Sequence, residues 1–222
     1  MGSPGAGKGT QAGLLAEELS LYHWETSEVV GRVIEKAARG SCVTVEGKKY
    51  YFDEERRLRE EGKLWDPPFL VHIVKEKIKE LSKEGKGIVS VGSPRTLYEG
   101  EGIIPLFKKL YGVQNIKVIL IEISEKEALW RNTHRRECEL IRHPILYSKE
   151  TVKLTKCPLD GSMLVSRVDD TPQIIKVRLK EYRERTLPLI DLFKKEGLRV
   201  IKIDGSPPPV DVFKSILKAL NL

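Results

Sequence analysis

The opening residues of the chain have the types and spacing that hold phosphate groups. Residues 2–11 read GSPGAGKGTQ, in which glycines alternate with small side chains around one lysine. Glycines let the backbone curl until N–H groups point inward at phosphate oxygens, and a helix that begins at the loop adds its positive end. Lys8 would bridge the β- and γ-phosphates of a nucleotide, and Thr10 would lie near a magnesium ion. A flexible Gly/Ser/Pro tail is the alternative, but a helix-forming segment follows at once.

The charge of the chain narrows the class of ligand. Lys and Arg outnumber Asp and Glu by 39 to 32, which gives a net charge of +7. Such a balance is compatible with nucleic acid or with a small polyanion. The lysines are mostly mixed with glutamates, as in residues 75–84, whereas several arginines fall in the third quarter of the chain. This distribution favours a small polyanion and predicts no nucleic-acid partner.

The rest of the chain alternates between helical and strand-like patterns, which is typical of an α/β fold with a parallel sheet. The predicted helices are Thr10–Leu19, Thr26–Ala38, Asp53–Glu61, Phe69–Ser82, Glu99–Tyr111, Glu125–Arg136, Thr171–Glu196 and Val210–Leu220. The predicted strands are Lys86–Val91, Ile116–Ile123 and Leu198–Ile203. Residues 38–51 are interpreted as a short glycine-containing connection. Residues 138–167 have weak periodicity and a Pro-Leu-Asp-Gly turn, which indicates an inserted lobe.

A phosphate loop of this kind normally follows a buried strand, yet no strand-forming residues precede Gly2. We expect either that a short stretch is missing ahead of Met1 or that the sheet lacks a central strand. The first is favoured, because removing a central strand would open the core.

Two motifs carry a family resemblance. The loop has the form GxPGxGKGTQ, with a glycine between the lysine and the threonine, and residues 92–96 (GSPRT) match a GFPRT element with one substitution. From Gly2 to about Leu220 the chain resembles the adenylate kinase family of P-loop nucleoside-monophosphate (NMP) kinases. The resemblance implies a doubly wound parallel α/β sheet of the P-loop NTPase type. It further implies one core over residues 1–222, an NMP-binding lobe inserted at 26–66 and a lid inserted at 138–168.

The implied reaction moves the γ-phosphoryl group of Mg-ATP to AMP and yields two ADP, so that ATP and Mg²⁺ are the expected cofactors. Transfer of a metaphosphate-like group needs positive charge around it and little covalent help. The resemblance assigns this work to Lys8, Arg95, Arg131, Arg135, Arg167 and Arg178. A kinase for another nucleoside monophosphate and a nucleotide-binding protein without turnover are the two alternatives.

The same resemblance divides the binding residues between donor and acceptor. ATP is expected at Gly5, Ala6, Gly7, Lys8, Gly9, Thr10, Arg131 and Arg135. The acceptor nucleotide is expected at Thr26, Leu64, Trp65, Gly92, Arg95, Glu99, Arg167 and Arg178. Asp169 and Asp170 resemble a pair that positions the lid arginines, and capping of the next helix is their alternative role.

Three positions depart from the family pattern. Val91 stands where an Asp usually organises magnesium through water, and Gly31 stands where an Arg binds the acceptor phosphate. Arg32 follows Gly31, but one residue turns a side chain by about 100° on a helix, so it cannot simply substitute. Glu99 stands where a Gln reads the adenine edge. An ionised Glu99 could accept from an exocyclic amine but has no donor for a ring nitrogen.

The lid contains a candidate structural zinc site made of Cys138, His143, Cys157 and Asp160. Many family members hold this lid through Cys-x2-Cys…Cys-x2-Cys or Asp, but here Ile141 takes the second position. His143 is the nearby donor that could complete a tetrahedron. A metal-free lid and a Cys138–Cys157 disulfide are the alternatives.

Composition sets the remaining limits. With 40% hydrophobic and 32% charged residues, the chain has the make-up of an ordinary globular protein. No apolar run approaches the roughly 18–20 residues of a membrane span, and nothing resembles a signal peptide. Three cysteines make a disulfide framework unexpected. We therefore predict a cytoplasmic protein with no membrane partner, most simply a monomer that binds small nucleotides.

Overall fold

The computed structural model describes residues 1–60, 65–167 and 170–222. The chain divides into two compact units, one of residues 1–11, 119–184 and 202–222 and the other of residues 12–118 and 185–201. The helices are α1 (Lys8–Glu18), α2 (Thr26–Lys36), α3 (Phe52–Glu60), α4 (Pro67–Lys83), α5 (Leu97–Tyr111), α6 (Glu125–Thr133), α7 (Pro172–Glu181), α8 (Leu189–Lys195) and α9 (Pro209–Leu220). The strands are β1 (Tyr22–Glu25), β2 (Cys42–Val45), β3 (Lys48–Tyr51), β4 (Ile88–Val91), β5 (Lys117–Glu122), β6 (Arg136–Cys138), β7 (Pro144–Ile145), β8 (Leu164–Val165) and β9 (Arg199–Asp204).

The unit of residues 12–118 and 185–201 is built on a parallel strand pair. Strand β1 runs alongside β4 from the Tyr22–Ile88 pair to the Glu25–Val91 pair. Helices α2, α4 and α5 cover these strands with apolar side chains, and the buried cluster centres on Trp24. Each aliphatic side chain that is fully buried in this cluster contributes about 1.5–3 kcal/mol to the stability of the fold. The parallel strands confirm a mixed α/β fold.

A hairpin replaces the short connection that we expected at residues 38–51. Strands β2 and β3 pair antiparallel, and residues Glu46 and Gly47 turn between them with φ angles of 51° and 81°. Tyr50 is buried against Phe69 at a ring-centroid distance of 5.8 Å. The segment expected to be a short glycine-containing connection is therefore a hairpin, in which Tyr50 is buried and its neighbours in β3 are exposed.

The other unit carries the opening residues and the segment predicted as the lid. Gly2 forms a parallel bridge with Ile121 of β5, and the amide of Ile121 donates to the Met1 carbonyl at 2.9 Å. Strand β5 also pairs with β9. Helices α6 and α7 enclose a buried cluster of Ala128, Ile175 and Leu179. The lid segment forms a three-stranded sheet in the order β7-β6-β8.

The predicted helix Thr171–Glu196 is interrupted. Helix α7 passes into a π-helical turn at Tyr182–Thr186, and α8 begins only after Pro188. Proline cannot donate the backbone hydrogen bond that a continuous helix requires. None of the helices in the described part of the chain has the length and hydropathy of a membrane span.

Candidate active site

The phosphate loop curls through left-handed glycines into the first turn of α1. Gly5 and Gly7 both have φ of 82°, a conformation that other residues rarely adopt. A Cβ at Gly5 would lie 2.5 Å from Asn132 Nδ2, so this side of the loop packs directly on α6. A Cβ at Gly7 would meet nothing within 4 Å, so this side of the loop is open. The loop thus has one packed and one open side, as a phosphate cradle requires.

Lys8 folds back over the loop that precedes it. Its Nζ donates to the Ser3 carbonyl at 2.8 Å, which holds the ammonium group beside the backbone amides. Thr10 lies in the first turn of α1 with a partly exposed side chain. The amides of that turn, the helix dipole and the ammonium group all favour an anion at the same place.

Arg131 is fixed at the turn after β9. Its Nε donates to Glu127 Oε1 at 2.7 Å, and its terminal nitrogens donate to the carbonyls of Gly205 and Ser206 at 2.9 and 3.0 Å. The planar guanidinium group is therefore held in one orientation by three acceptors.

Two further arginines share one buried carboxylate. Arg135 donates to both oxygens of Asp170 at 2.9 and 2.8 Å, and Arg178 lies 3.5 Å from Asp170 Oδ1. The Asp170 side chain is only 3% exposed. A carboxylate between two guanidinium groups offsets their mutual repulsion and fixes their positions.

Arg167 has its own carboxylate partner in the lid segment. Its Nε donates to Glu137 Oε2 at 2.8 Å, and the Arg167 carbonyl accepts from the Asp170 amide at 3.1 Å. Helix capping by Asp170 is not observed, because Thr171 is the N-cap of α7 and accepts from Ile174 N. Asp169 lies outside the described residues.

On the acceptor side, Thr26 and Arg95 surround Gly92. The Thr26 hydroxyl donates to the Val91 carbonyl and accepts from Trp24 Nε1, both at 3.1 Å. A Cβ at Gly92 would lie 3.2 Å from an Arg95 terminal nitrogen and 3.5 Å from Thr26 Oγ1. Gly92 therefore leaves the space into which the Arg95 guanidinium group extends. These three predicted residues do lie together.

Glu99 and Trp65 have internal partners. Glu99 is buried, and its carboxylate accepts from Ser93 Oγ, the Arg95 amide and Thr96 Oγ1. Trp65 Nε1 donates to the Glu55 carbonyl at 3.3 Å, and its ring packs against the cluster around Phe69. The predicted contact at Leu64 lies outside the described residues.

The four predicted lid donors converge. One ligand atom each from Cys138, His143, Cys157 and Asp160 lies within 4.8 Å of the others. Tetrahedral zinc with bonds of about 2.0–2.3 Å separates its ligand atoms by roughly 3.3–3.8 Å. His143 Nδ1 is 3.0 Å from Cys138 Sγ, and its Nε2 is 3.2 Å from Cys157 Sγ. Since a metal takes one ring nitrogen, one of these contacts would give way on binding.

The surroundings of this cluster also fit a cation. The amides of Leu159 and Asp160 donate to Cys157 Sγ at 3.3 and 3.4 Å. Asp160 Oδ2 is buried and has no hydrogen-bond partner among the described residues. Hydrogen bonds from Ser162 hold the pKa of Asp160 below its usual range. Cys138 and Cys157 are free thiols, so the alternative of a disulfide between them is not observed.

Known proteins with similar sequences give this arrangement its context. The family model described as adenylate kinase matches residues 1–198. An adenylate kinase of Chlamydia muridarum is 32% identical, over 99% of this chain and 85% of that protein. Adenylate kinases of Methanothrix thermoacetophila and Caldicellulosiruptor bescii are each 32% identical over 100% of this chain, and over 96% and 97% of their own lengths.

The chain belongs to the adenylate kinase family. It is an NMP kinase of that family and therefore a phosphotransferase, which confirms the predicted family and enzyme class. Adenylate kinases use ATP and Mg²⁺ and bind nucleotides as small-molecule substrates.

In this chain, the three departures from the family pattern have defined surroundings. Gly31 is buried in α2, whereas Arg32 is exposed and pairs with Glu28 one turn earlier at 3.1 Å. Arg32 therefore does not take the place of an arginine at position 31. Val91 offers only its backbone carbonyl, which accepts from Thr26.

Sequence reasoning missed three residues that hold site residues in place, one of which is Glu127, the partner of Arg131. Glu137 pairs with Arg167, and Asn132 packs under Gly5 while its Nδ2 donates to the Ala128 carbonyl at 2.6 Å. Both are polar and buried, in positions adjoining predicted arginines. The one sequence signal that could have indicated them is a polar residue at a position that the periodicity of its segment assigns to the buried face.

Proposed function

We propose that this member of the adenylate kinase family transfers the γ-phosphoryl group of Mg-ATP to AMP, so that ATP and AMP become two ADP. The observation that carries the proposal is the glycine loop with Lys8 folded over it, accompanied by guanidinium groups on fixed carboxylates. These groups provide phosphate-binding charge without a nucleophile or a general base. The relatives named adenylate kinase support AMP as the acceptor.

On the donor side, the amides of residues 5–10 and Lys8 would hold the β- and γ-phosphates of ATP. Arg131 and Arg135 would complete the donor contacts, with orientations that Glu127 and Asp170 fix in advance. Magnesium, when bound, would neutralise negative charge that develops on the phosphates during transfer. Mg²⁺ usually keeps several waters and needs few protein ligands, so the Thr10 hydroxyl and the absence of a carboxylate at Val91 fit such a site.

On the acceptor side, Arg95 would bind the α-phosphate of the monophosphate beside Thr26 and Gly92, and Leu64 and Trp65 would line the base. Arg167 and Arg178 would contact the phosphates during transfer. An acceptor phosphate is already a nucleophilic oxyanion, so no protein base is needed. Bidentate guanidinium–phosphate pairs would orient it for in-line attack.

The finer architecture belongs to the same proposal. We propose that the parallel strands are part of one doubly wound sheet, with an NMP-binding lobe at residues 26–66 and a lid at 138–168. Closing of such lobes over bound nucleotides would exclude water, so that the phosphoryl group reaches AMP and is not hydrolysed. Cytoplasmic location, a monomeric state and the absence of nucleic-acid or membrane partners stay predictions.

The test is diphosphate formation from Mg-ATP with AMP, CMP, UMP and GMP in parallel. Turnover restricted to AMP supports the proposal. Preferential turnover of another acceptor would change the substrate and keep the mechanism. If folded protein binds ATP but forms no diphosphate from any acceptor, the protein is a nucleotide-binding member of the family that lacks turnover, an outcome that Val91 and Gly31 would then explain.

We also propose that Cys138, His143, Cys157 and Asp160 hold a structural Zn²⁺. The buried, unpartnered Asp160 Oδ2 supports a cation there. Zinc would tie the two turns of the lid together and take no part in transfer. The purified protein is expected to contain about one zinc per chain by mass spectrometry. Cys157→Ser should abolish metal binding and lower the melting temperature. Cys42 is exposed, so Cys42→Ser should keep the zinc content and the melting temperature of the wild type. Equal metal content in the two variants would refute the site.

A further inference from the structure

Glu99 has a buried carboxylate that accepts three hydrogen bonds from protein donors. Its residue is 5% exposed. Oε2 accepts from Ser93 Oγ at 3.0 Å and from the Arg95 amide at 2.9 Å, and Oε1 accepts from Thr96 Oγ1 at 3.2 Å. All three donors belong to the four-residue segment that precedes α5.

Hydrogen bonds between Glu99 and Thr96 run in both directions. The Thr96 hydroxyl is the N-cap of α5 and accepts from the Glu99 amide at 3.3 Å. This resembles a capping box, except that the Glu99 side chain accepts from the Thr96 hydroxyl and from the Arg95 amide, one residue before the N-cap. The start of α5 and the backbone of Arg95 are therefore held by the same carboxylate.

A carboxylate offers about four acceptor directions and no donor. Protein donors occupy three of those directions at Glu99. Two donors are hydroxyl groups, which can rotate, and the third is the Arg95 amide, which cannot. Turning the carboxylate toward a base would leave that partly buried amide without its protein acceptor, which costs part of the free energy of an unsatisfied donor. The arrangement opposes a role in reading the base.

We propose that Glu99 is a positioning residue that holds residues 93–96, and with them Arg95, and that it does not discriminate between acceptor bases. The inference rests on the proposed function, because Arg95 is taken to bind the acceptor phosphate. Every nucleoside monophosphate carries that phosphate, so loss of Glu99 must affect all acceptors alike. A residue that reads the base must affect them unequally.

The experiment compares kcat/KM for AMP, CMP, UMP and GMP in the wild type, Glu99→Ala and Glu99→Gln. Glu99→Ala is expected to lower kcat/KM for every acceptor by one common factor, on the order of 100-fold, since displacement of a phosphate-binding group by about 1 Å can cost that much. Glu99→Gln keeps an oxygen for the Arg95 amide and is expected to lose less than Glu99→Ala, again uniformly. The KM for ATP should stay unchanged in both variants.

The matched control is Glu101→Gln, an exposed carboxylate two residues further along α5, which should match the wild type. A change of more than about tenfold in the ratio between any two acceptors, in either Glu99 variant, would overturn the inference.

If Glu99→Ala fails to fold, the ratios in Glu99→Gln decide the question. If the wild type forms no diphosphate, the proposed function fails, and calorimetric affinities for the four monophosphates provide the same ratios. Absence of any monophosphate binding would overturn both.

Discussion

Replacing Asp170 with asparagine tests whether the arginines are held by internal carboxylates. The change keeps the size of the side chain and removes its charge. Arg135 donates two hydrogen bonds to Asp170 at 2.9 and 2.8 Å, and Arg178 adds a weak contact at 3.5 Å. The asparagine side chain would keep one acceptor oxygen and would face Arg135 with an amide donor.

The size of the effect follows from the burial of the partners. Hydrogen bonds to charged groups contribute about 1.5–3 kcal/mol each, and breaking a buried ion pair costs about 3–5 kcal/mol. The Asp170 side chain is 3% exposed, but Arg135 and Arg178 are 22% and 34% exposed and recover some hydration. We therefore expect Asp170→Asn to lower the free energy of unfolding by about 2–3 kcal/mol.

Activity should fall as well, because two guanidinium groups lose their fixed positions. Misplacement of preorganised charge by about 1 Å can cost on the order of 100-fold in kcat. Urea unfolding and steady-state kinetics with Mg-ATP and AMP measure the two effects on one preparation. Asp191→Asn is the control, since its side chain is 88% exposed and lies 3.9 Å from Lys194. If Asp170→Asn unfolds within about 0.5 kcal/mol of the wild type and keeps its kcat, the reasoning is refuted.

Three other substitutions test separate parts of the structure. Lys8→Met should lower kcat by on the order of 100- to 1,000-fold, as loss of a preorganised charge does, and unchanged turnover would contradict its role. Burial raises the pKa of Glu55, and the negative charges of Asp66 and Glu54 raise it further. The ionised form of Glu55 therefore destabilises the folded state once the pH rises above the unfolded pKa of about 4.3. Glu55→Gln should therefore stabilise the protein at pH 7, with less gain at pH 4, in urea unfolding at both pH values. Gly13→Ala, in the interior of α1 with nothing within 4 Å of the added Cβ, should raise the free energy of unfolding by about 0.5–1 kcal/mol, and a loss would contradict the open space.

The motif-bearing parts of the site could be predicted because their chemistry is local. A glycine loop, one lysine and a helix start lie within ten consecutive residues, and the structure forms the loop and α1 there. Gly92 and Arg95 likewise follow β4 directly. Arg131 and Arg135 are expected from the family resemblance alone; Arg131 lies in α6 and Arg135 just beyond its end, and no local pattern names their partners.

The misses have identifiable physical causes. Strand β1, with the sequence YHWE, is short, and it is recognised only through its pairing with β4 and the burial of Trp24. The hairpin of β2 and β3 turns on Glu46-Gly47, a weaker signal than Asn-Gly or Asp-Gly. Pro188 marks the break before α8. The helical pattern on both sides of this proline predicts one continuous helix, and that prediction is wrong.

On the proposed function, Arg135, Arg167 and Arg178 hold phosphates, and guanidinium groups placed close together repel one another while the phosphates are absent. Arg135 and Arg178 approach the same Asp170 oxygen, and Arg167 is paired with the buried Glu137. Each carboxylate replaces part of the charge that a phosphate would bring, so the guanidinium groups are ordered before the nucleotide binds. Asp170 engages Nε and one terminal nitrogen of Arg135, so this pair leaves the other terminal nitrogen of Arg135 unused. Substrate binding therefore need not break these pairs, and the entropy of ordering the arginines is lost on folding and not during transfer.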